Sequence, residues 1–169
     1  MDKHPLIEIL KKHPEYMRLM QAMTRAEGCA AVFGLGEAHR SHVAAALYEH
    51  TQKTLIVVSA NETSAARITE DASYFVKNVY HLPARETPLG GKMVSASAGL
   101  TARRMQVLTK LVSGERLMIV VSAEALLQRL TPPDALRMSI KRYSVGMRRD
   151  PRAIAAELAA AGYERVELC

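Results

Sequence analysis

Tryptophan is absent from this chain, and Phe and Tyr together make up 5% of its 169 residues. Unpaired bases stack on aromatic rings, so a set this sparse gives no basis for a single-strand stacking platform. Cysteine is nearly as scarce: Cys29 sits in an apolar run and Cys169 is the last residue. Two thiols so placed form neither a disulfide framework nor metal-ligand spacing, and both read as inert. No stretch approaches the roughly 18 to 20 uninterrupted apolar residues of a membrane span. The opening Met1-Asp2-Lys3-His4-Pro5 also lacks the apolar centre of a secretory signal. A cytoplasmic protein without membrane contact is the expectation. Internal repeats and low-complexity tracts are missing too.

What is present is ordinary globular material, 49% hydrophobic and 24% charged, enough for one domain or for one domain and part of another. The net charge of +6 favours approach to a polyanion such as nucleic acid. The excess is scattered over Arg103-Arg104, Lys141-Arg142 and Arg148-Arg149, each beside helix-like or strand-like pattern, where a solvated face is the commoner explanation. Charge permits DNA contact and says no more.

Residues 1–26 read as a helical arm. Pro5 to Lys12 and Pro14 to Arg25 form two short helices, with Pro14 suited to a first helical position and Tyr16, Met17, Met20 and Met23 making an apolar, core-facing stripe. Residues 27–133 alternate strand and helix. Cys29 to Phe33 has the look of a buried strand ending at Gly34, and Arg40 to His50 follows as a helix with an apolar face at Val43, Ala46 and Leu47. Thr54 to Val58, Val79 to Leu82 and Leu117 to Val121 are expected strands; Glu62 to Phe75 and Leu100 to Val112 are expected helices. This order predicts an α/β fold, a parallel sheet flanked by helices. Pro83 to Gly91, rich in Pro and Gly, is an expected surface loop.

Thr131-Pro132-Pro133 is the expected boundary. Residues 134–169 then begin a second α+β domain, with a strand at Arg137 to Tyr143, a helix from Asp150-Pro151 to Ala161 closed by Gly162, and another strand from Glu164 to Leu168. Such a β-α-β start falls below the roughly 40 residues at which unsupported domains become rare, so this second domain is expected to be truncated at Cys169.

Chemistry is sought first at Gly34-Leu35-Gly36-Glu37-Ala38-His39-Arg40-Ser41, between an apparent strand and a helix start. A GxxxxGK[ST] loop surrounds phosphates with backbone amides, sets a lysine on the outer phosphates and a hydroxyl on magnesium. Gly34 and Ser41 fit its first and last positions. The second Gly is replaced by His39, whose ring fills the space a phosphate would need. The lysine is replaced by Arg40, a planar fork rather than a compact ammonium. Glu37 adds a negative charge where an anion would sit. Gly34, Gly36, His39, Arg40 and Ser41 therefore make a degenerate phosphate loop, able at most to make weak contact through a helix amino terminus. The pattern alone favours an ordinary Gly-rich turn into a helix.

No magnesium-holding carboxylate pair follows the strand Met118-Ile119-Val120-Val121; Glu124 instead suits the first turn of a helix. His39 and His42 are one turn apart with no third ligand near in sequence, so surface histidines are expected. Glu70 and Asp71 read as a solvated face. No nucleophile-base-orienter set is visible, and neither a metal site nor a cofactor is expected here.

Several segments in order carry a resemblance. They are Gly34 to Ser41; Leu55-Ile56-Val57-Val58 with Asn61 and Ala65-Ala66; Leu82-Pro83-Ala84-Arg85-Glu86-Thr87; and Arg104-Met105-Gln106-Val107-Leu108 with Leu111 and Gly114. Ile119-Val120-Val121-Ser122 with Ala125-Leu126-Leu127-Gln128-Arg129-Leu130 follows, then Leu158 with Gly162-Tyr163-Glu164-Arg165-Val166. Together they resemble the amino-terminal module of the bacterial transcription-repair coupling factors, a module similar in turn to the B subunit of the excinuclease. The resemblance implies a P-loop NTPase (RecA/helicase-like) sheet whose phosphate loop is degenerate, interrupted by a second domain that docks the excinuclease A subunit. It implies a non-catalytic segment of a protein that serves transcription-coupled nucleotide excision repair and meets RNA polymerase and double-stranded DNA through later domains. ATP and magnesium then belong to a motor outside these residues. The docking arginine of the family lies in a GEF-x-x-RG-like segment expected after Cys169, so no docking residue is assigned.

Two other classes compete. One is a working ATP-binding domain of the helicase or excinuclease B type, with Arg40 and Ser41 holding phosphate despite His39. The other is a nonspecific DNA-binding α/β domain resting on charge.

Overall fold

The computed structural model describes residues 4–25, 28–85, 98–163 and 166. They fall into two compact units, Met1–Leu130 and Thr131–Cys169.

In the first unit, α1 (Pro5–Leu10) and α2 (Pro14–Thr24) each begin on a proline, whose missing N–H and fixed φ suit a first helical turn. They are followed by α3 (Glu37–Thr51), β1 (Leu55–Ser59), α4 (Glu62–Ser73), β2 (Val79–Leu82), α5 (Ala98–Val112), β3 (Met118–Ser122) and α6 (Ala123–Leu127). The strands form a parallel sheet in the order β1-β3-β2, with Leu55 opposite Met118 and Val79 opposite the same residue on the other side. Parallel strands need a crossover, and α4, between β1 and β2, packs on all three strands. Every residue of the central β3 is buried, as expected of a strand covered on both faces. The alternation read from the sequence thus yields a small parallel sheet flanked by helices.

The arm belongs to the core of this unit. Ile7 is fully buried and Tyr16 nearly so, beside Ala45, Ala46, Ala65 and Ala72, whose small side chains allow close approach of α3 and α4. Met20 packs against the same cluster, whereas Met17 and Met23 are exposed. The far end of α3 is tied to the sheet by Tyr48, whose hydroxyl donates to the carbonyl of Arg116 at 2.9 Å. The Arg116 guanidinium lies 4.1 Å from the Tyr48 ring centre and donates to the Tyr48 carbonyl at 2.9 Å, which brings positive charge to the carbonyl end of a helix.

Two expected strands are corrected. Cys29 to Phe33 has no regular structure; all five residues are exposed, Phe33 by 90%. An apolar run becomes a strand only where a neighbour accepts its hydrogen bonds, and neither edge of the β1-β3-β2 sheet takes this one. Arg137 to Tyr143 is not a strand either: α7 (Pro133–Ser139) runs through its first half and irregular backbone follows. Pro133 opens that helix and an Asp134–Arg137 ion pair at 2.9 Å spans its first turn, local signals that prevail where the described residues of this unit include no strand to pair with.

In the second unit α8 (Pro151–Ala160) starts at Asp150, whose carboxylate accepts from the amide of Arg152 at 3.0 Å. It ends at Gly162, with φ +91°, while the amide of Tyr163 reaches the carbonyl of Leu158 at 3.1 Å; a left-handed residue there is what glycine permits. Only Leu136 is buried among the described residues of this unit. The expected strand Glu164 to Leu168 and the loop from Glu86 onward lie outside the described residues, Val166 apart. Among the described residues no helix is long and apolar enough to cross a membrane.

Candidate functional site

The segment Gly34 to Ser41 runs from irregular backbone into the first turn of α3. Gly34 has φ +80° and open space around it. Gly36 is the N-cap of α3 and, having no side chain, provides no capping oxygen. His39 is exposed in the first turn, with Nδ1 beside Gly36. Arg40 turns back on its own loop, Nε donating to the carbonyl of Leu35 at 3.3 Å. Glu37 reaches across to Arg67 at 2.8 Å.

Ser41 goes the other way. It is fully buried, and its hydroxyl donates to Oδ2 of Asp71 on α4 at 3.4 Å. Asp71 is thus half-buried with a hydrogen-bonded partner, not part of a solvated face. The hydroxyl that would sit on magnesium is engaged inside the α3–α4 contact. Gly34, Gly36, His39 and Arg40 share the loop and first turn, and Ser41 lies beneath them. The cavity between α3 and α4, lined by Glu37, Arg40, Ser64, Arg67 and Asp71, holds about 120 Å³, well below the roughly 300 to 1,000 Å³ of sites that enclose a drug-sized ligand.

His42 does not join His39. Its Nε2 lies 3.0 Å from the carbonyl of Leu6 and its ring stacks on Phe75 at 4.8 Å. Among the described residues no three His, Cys, Asp or Glu side chains converge as metal ligands would. Glu124 sits in the first turn of α6, as its sequence context suggests.

A second polar cluster occupies the carboxyl ends of the strands, where open parallel sheets place ligands. Ser122, the last residue of β3, caps α6 by accepting from the amide of Ala125 at 3.0 Å and donates its proton to Oε1 of Glu62. The other oxygen of Glu62 lies 3.2 Å from Nε2 of His81 on β2, without the alignment of a hydrogen bond. Burial holds the His81 imidazole below the usual histidine value, against the pull of the Glu62 charge. Arg104 of α5, expected on a solvated face, is buried and donates to the carbonyl of Pro83. Burial, and then Arg85, press its guanidinium below the usual arginine value.

The carboxylate stands between the serine and the histidine, so the imidazole has no route to the serine proton. This order does not activate a nucleophile; it links α4, β2 and β3. Glu62, His81, Arg104 and Ser122 were not singled out as a group by sequence reasoning. The usable signals were the Ser122-Ala123-Glu124 cap pattern and an arginine on the apolar side of α5.

No family model matches the chain. It is 28% identical to a transcription-repair-coupling factor of Bacillus subtilis over 137 residues and 31% identical to one of Myxococcus xanthus over 144. Each alignment takes in 80% of this chain and 12% of the relative, so the chain spans about an eighth of the proteins it matches. The two comparisons bear out the resemblance carried by the residues: over most of its own length, this chain is related to transcription-repair-coupling factors.

Proposed function

We propose that this chain is a binding and scaffolding module of a transcription-repair-coupling factor, acting in transcription-coupled nucleotide excision repair, with a helicase-type α/β unit that does not turn over nucleotide. The observation that carries this reading is the commitment of the loop's two phosphate-directed side chains: Ser41 donates to Asp71 and Arg40 to the Leu35 carbonyl. His39 in place of glycine and Glu37 at the helix start add steric and electrostatic obstacles to an anion. On this reading the module is related to the excinuclease B subunit, and the full-length protein recruits the excinuclease A subunit to RNA polymerase stalled on double-stranded DNA. ATP and magnesium serve a motor in another part of that protein.

The test is made in the full-length protein. Arg40→Ala leaves DNA-stimulated ATP turnover within about twofold of the unchanged protein if the motor lies elsewhere. A tenfold or greater loss with the fold intact would make this loop part of the ATP site and overturn the reading.

A further inference from the structure

We propose that the carboxyl ends of β2 and β3, with the start of α5, form a phosphate-contacting surface for the backbone of nucleic acid, whose contacts are the exposed Arg85 and Arg103 and whose underlying positive charge is the buried Arg104. The inference goes beyond the scaffolding reading and stands without it.

Three arginines lie where the parallel strands end: Arg104 bonds to the backbone after β2, the charge of Arg85 bears on Arg104, and that of Arg103 bears on His81. Arg104 is 4% exposed and spends one nitrogen on the Pro83 carbonyl; its other terminal nitrogen is buried with no hydrogen-bond partner among the described residues. A buried donor of this kind is costly to leave unsatisfied. Arg85 is two residues beyond that carbonyl, and Arg103 precedes Arg104 on α5; both side chains are exposed.

The counter-charge on Arg104 is shared with other groups. Glu62 is the carboxylate that bears on Arg104, and it already accepts from Ser122 and lies against His81. His81, kept neutral by burial, adds no charge at pH 7. Among the described residues, the carboxylate that bears on Arg104 therefore already accepts from Ser122.

The position is also held firmly. Gln128, just past α6, clamps the backbone of Arg85 from both sides: its Oε1 accepts from the Arg85 amide at 2.7 Å and its Nε2 donates to the Arg85 carbonyl at 3.1 Å. Fixing the backbone lowers the entropy lost when a side chain engages a ligand. Phosphodiester oxygens match guanidinium donors in geometry and charge. With few aromatics to stack bases, contact falls on the backbone and carries no sequence preference.

The experiment measures fluorescence anisotropy of labelled 30-nucleotide single strands and 30-base-pair duplexes against the full chain, from low to moderate salt, with pyrophosphate as competitor. Arg85→Ala/Arg103→Ala changes two exposed residues; circular dichroism confirms that the fold is kept. The expected result is at least tenfold weaker binding at low salt and a log–log salt slope shallower by roughly 1.5, at about 0.7 to 0.9 for each phosphate contact removed. Lys141→Ala/Arg142→Ala/Arg148→Ala, in the other basic segment, leaves both quantities unchanged. The proposal is overturned if no oligonucleotide binds at low salt, or if binding is lost in the second variant and retained in the first. Binding of pyrophosphate without oligonucleotide would also overturn it, making this a small-anion site.

Discussion

The hydroxyl oxygen of Tyr16 lies 2.6 Å from Nδ1 of His50, joining α2 to the last turn of α3. On its other side His50 Nε2 is 3.6 Å from a carboxylate oxygen of Glu8 on α1. Both helices of the arm therefore meet one histidine of the α/β unit. Tyr16→Phe keeps the ring and removes the hydroxyl, and should lower stability by about 1 kcal/mol, the usual net worth of one hydrogen bond. Urea unfolding checks this; an unchanged midpoint would mean the contact contributes nothing.

The same phenol predicts a limit at high pH. Burial pushes the Tyr16 hydroxyl up to about 12 from its ordinary 10.0. The unfolded chain loses this proton near 10 and the folded chain later. The stabilisation is complete below pH 10 and is lost as pH rises through about 12. Tyr16→Phe should flatten the fall in stability over that window, as read by denaturant midpoints at successive pH values. An equally steep fall in the variant would assign the loss to other groups.

Ile7 tests whether the arm is part of the core. It is fully buried against α3 and α4 residues, so Ile7→Ala should cost roughly 2 to 5 kcal/mol, the range for aliphatic truncation in a packed interior. Leu6→Ala, at an exposed neighbour, should cost less than about 0.5 kcal/mol. Equal, small effects at both positions in thermal unfolding would separate the arm from the core.

His81 sets the behaviour in acid. Its folded-state value is lowered by burial, so below the unfolded histidine value near 6.5 the unfolded chain takes up the proton first. Stability therefore declines as pH falls below that value, until the folded imidazole also protonates. His81→Gln should reduce this acid-side slope. A slope that persists undiminished would place its origin in other groups.

Most elements of the first unit were legible because their signals are local. Asn61 caps α4, accepting from the amide of Ser64 at 2.8 Å, and prolines open α1 and α2. Apolar runs of five or fewer residues mark the three strands. Cys29 to Phe33 shows where this fails: the run is apolar throughout, yet a strand also needs a neighbour, which a short run does not specify. Arg137 to Tyr143 failed for the converse reason, since Pro133 and the Asp134–Arg137 pair give a local helix start that the apolar positions obscured. At the loop, motif spacing located Gly34 to Ser41 but not the direction of Ser41; its rotation onto Asp71 depends on how α3 packs against α4. Glu62, His81 and Ser122 are far apart in the chain and meet through the strand order β1-β3-β2. No spacing rule announces that meeting.

On the scaffolding reading, the loop before α3 does not hold nucleotide. Isothermal titration of the chain with ATP and magnesium tests this directly: the expected result is no saturable heat up to about 1 mM nucleotide, a ceiling of roughly 4 kcal/mol on the binding free energy. Micromolar, one-to-one binding that Arg40→Ala abolishes without unfolding the protein would contradict it.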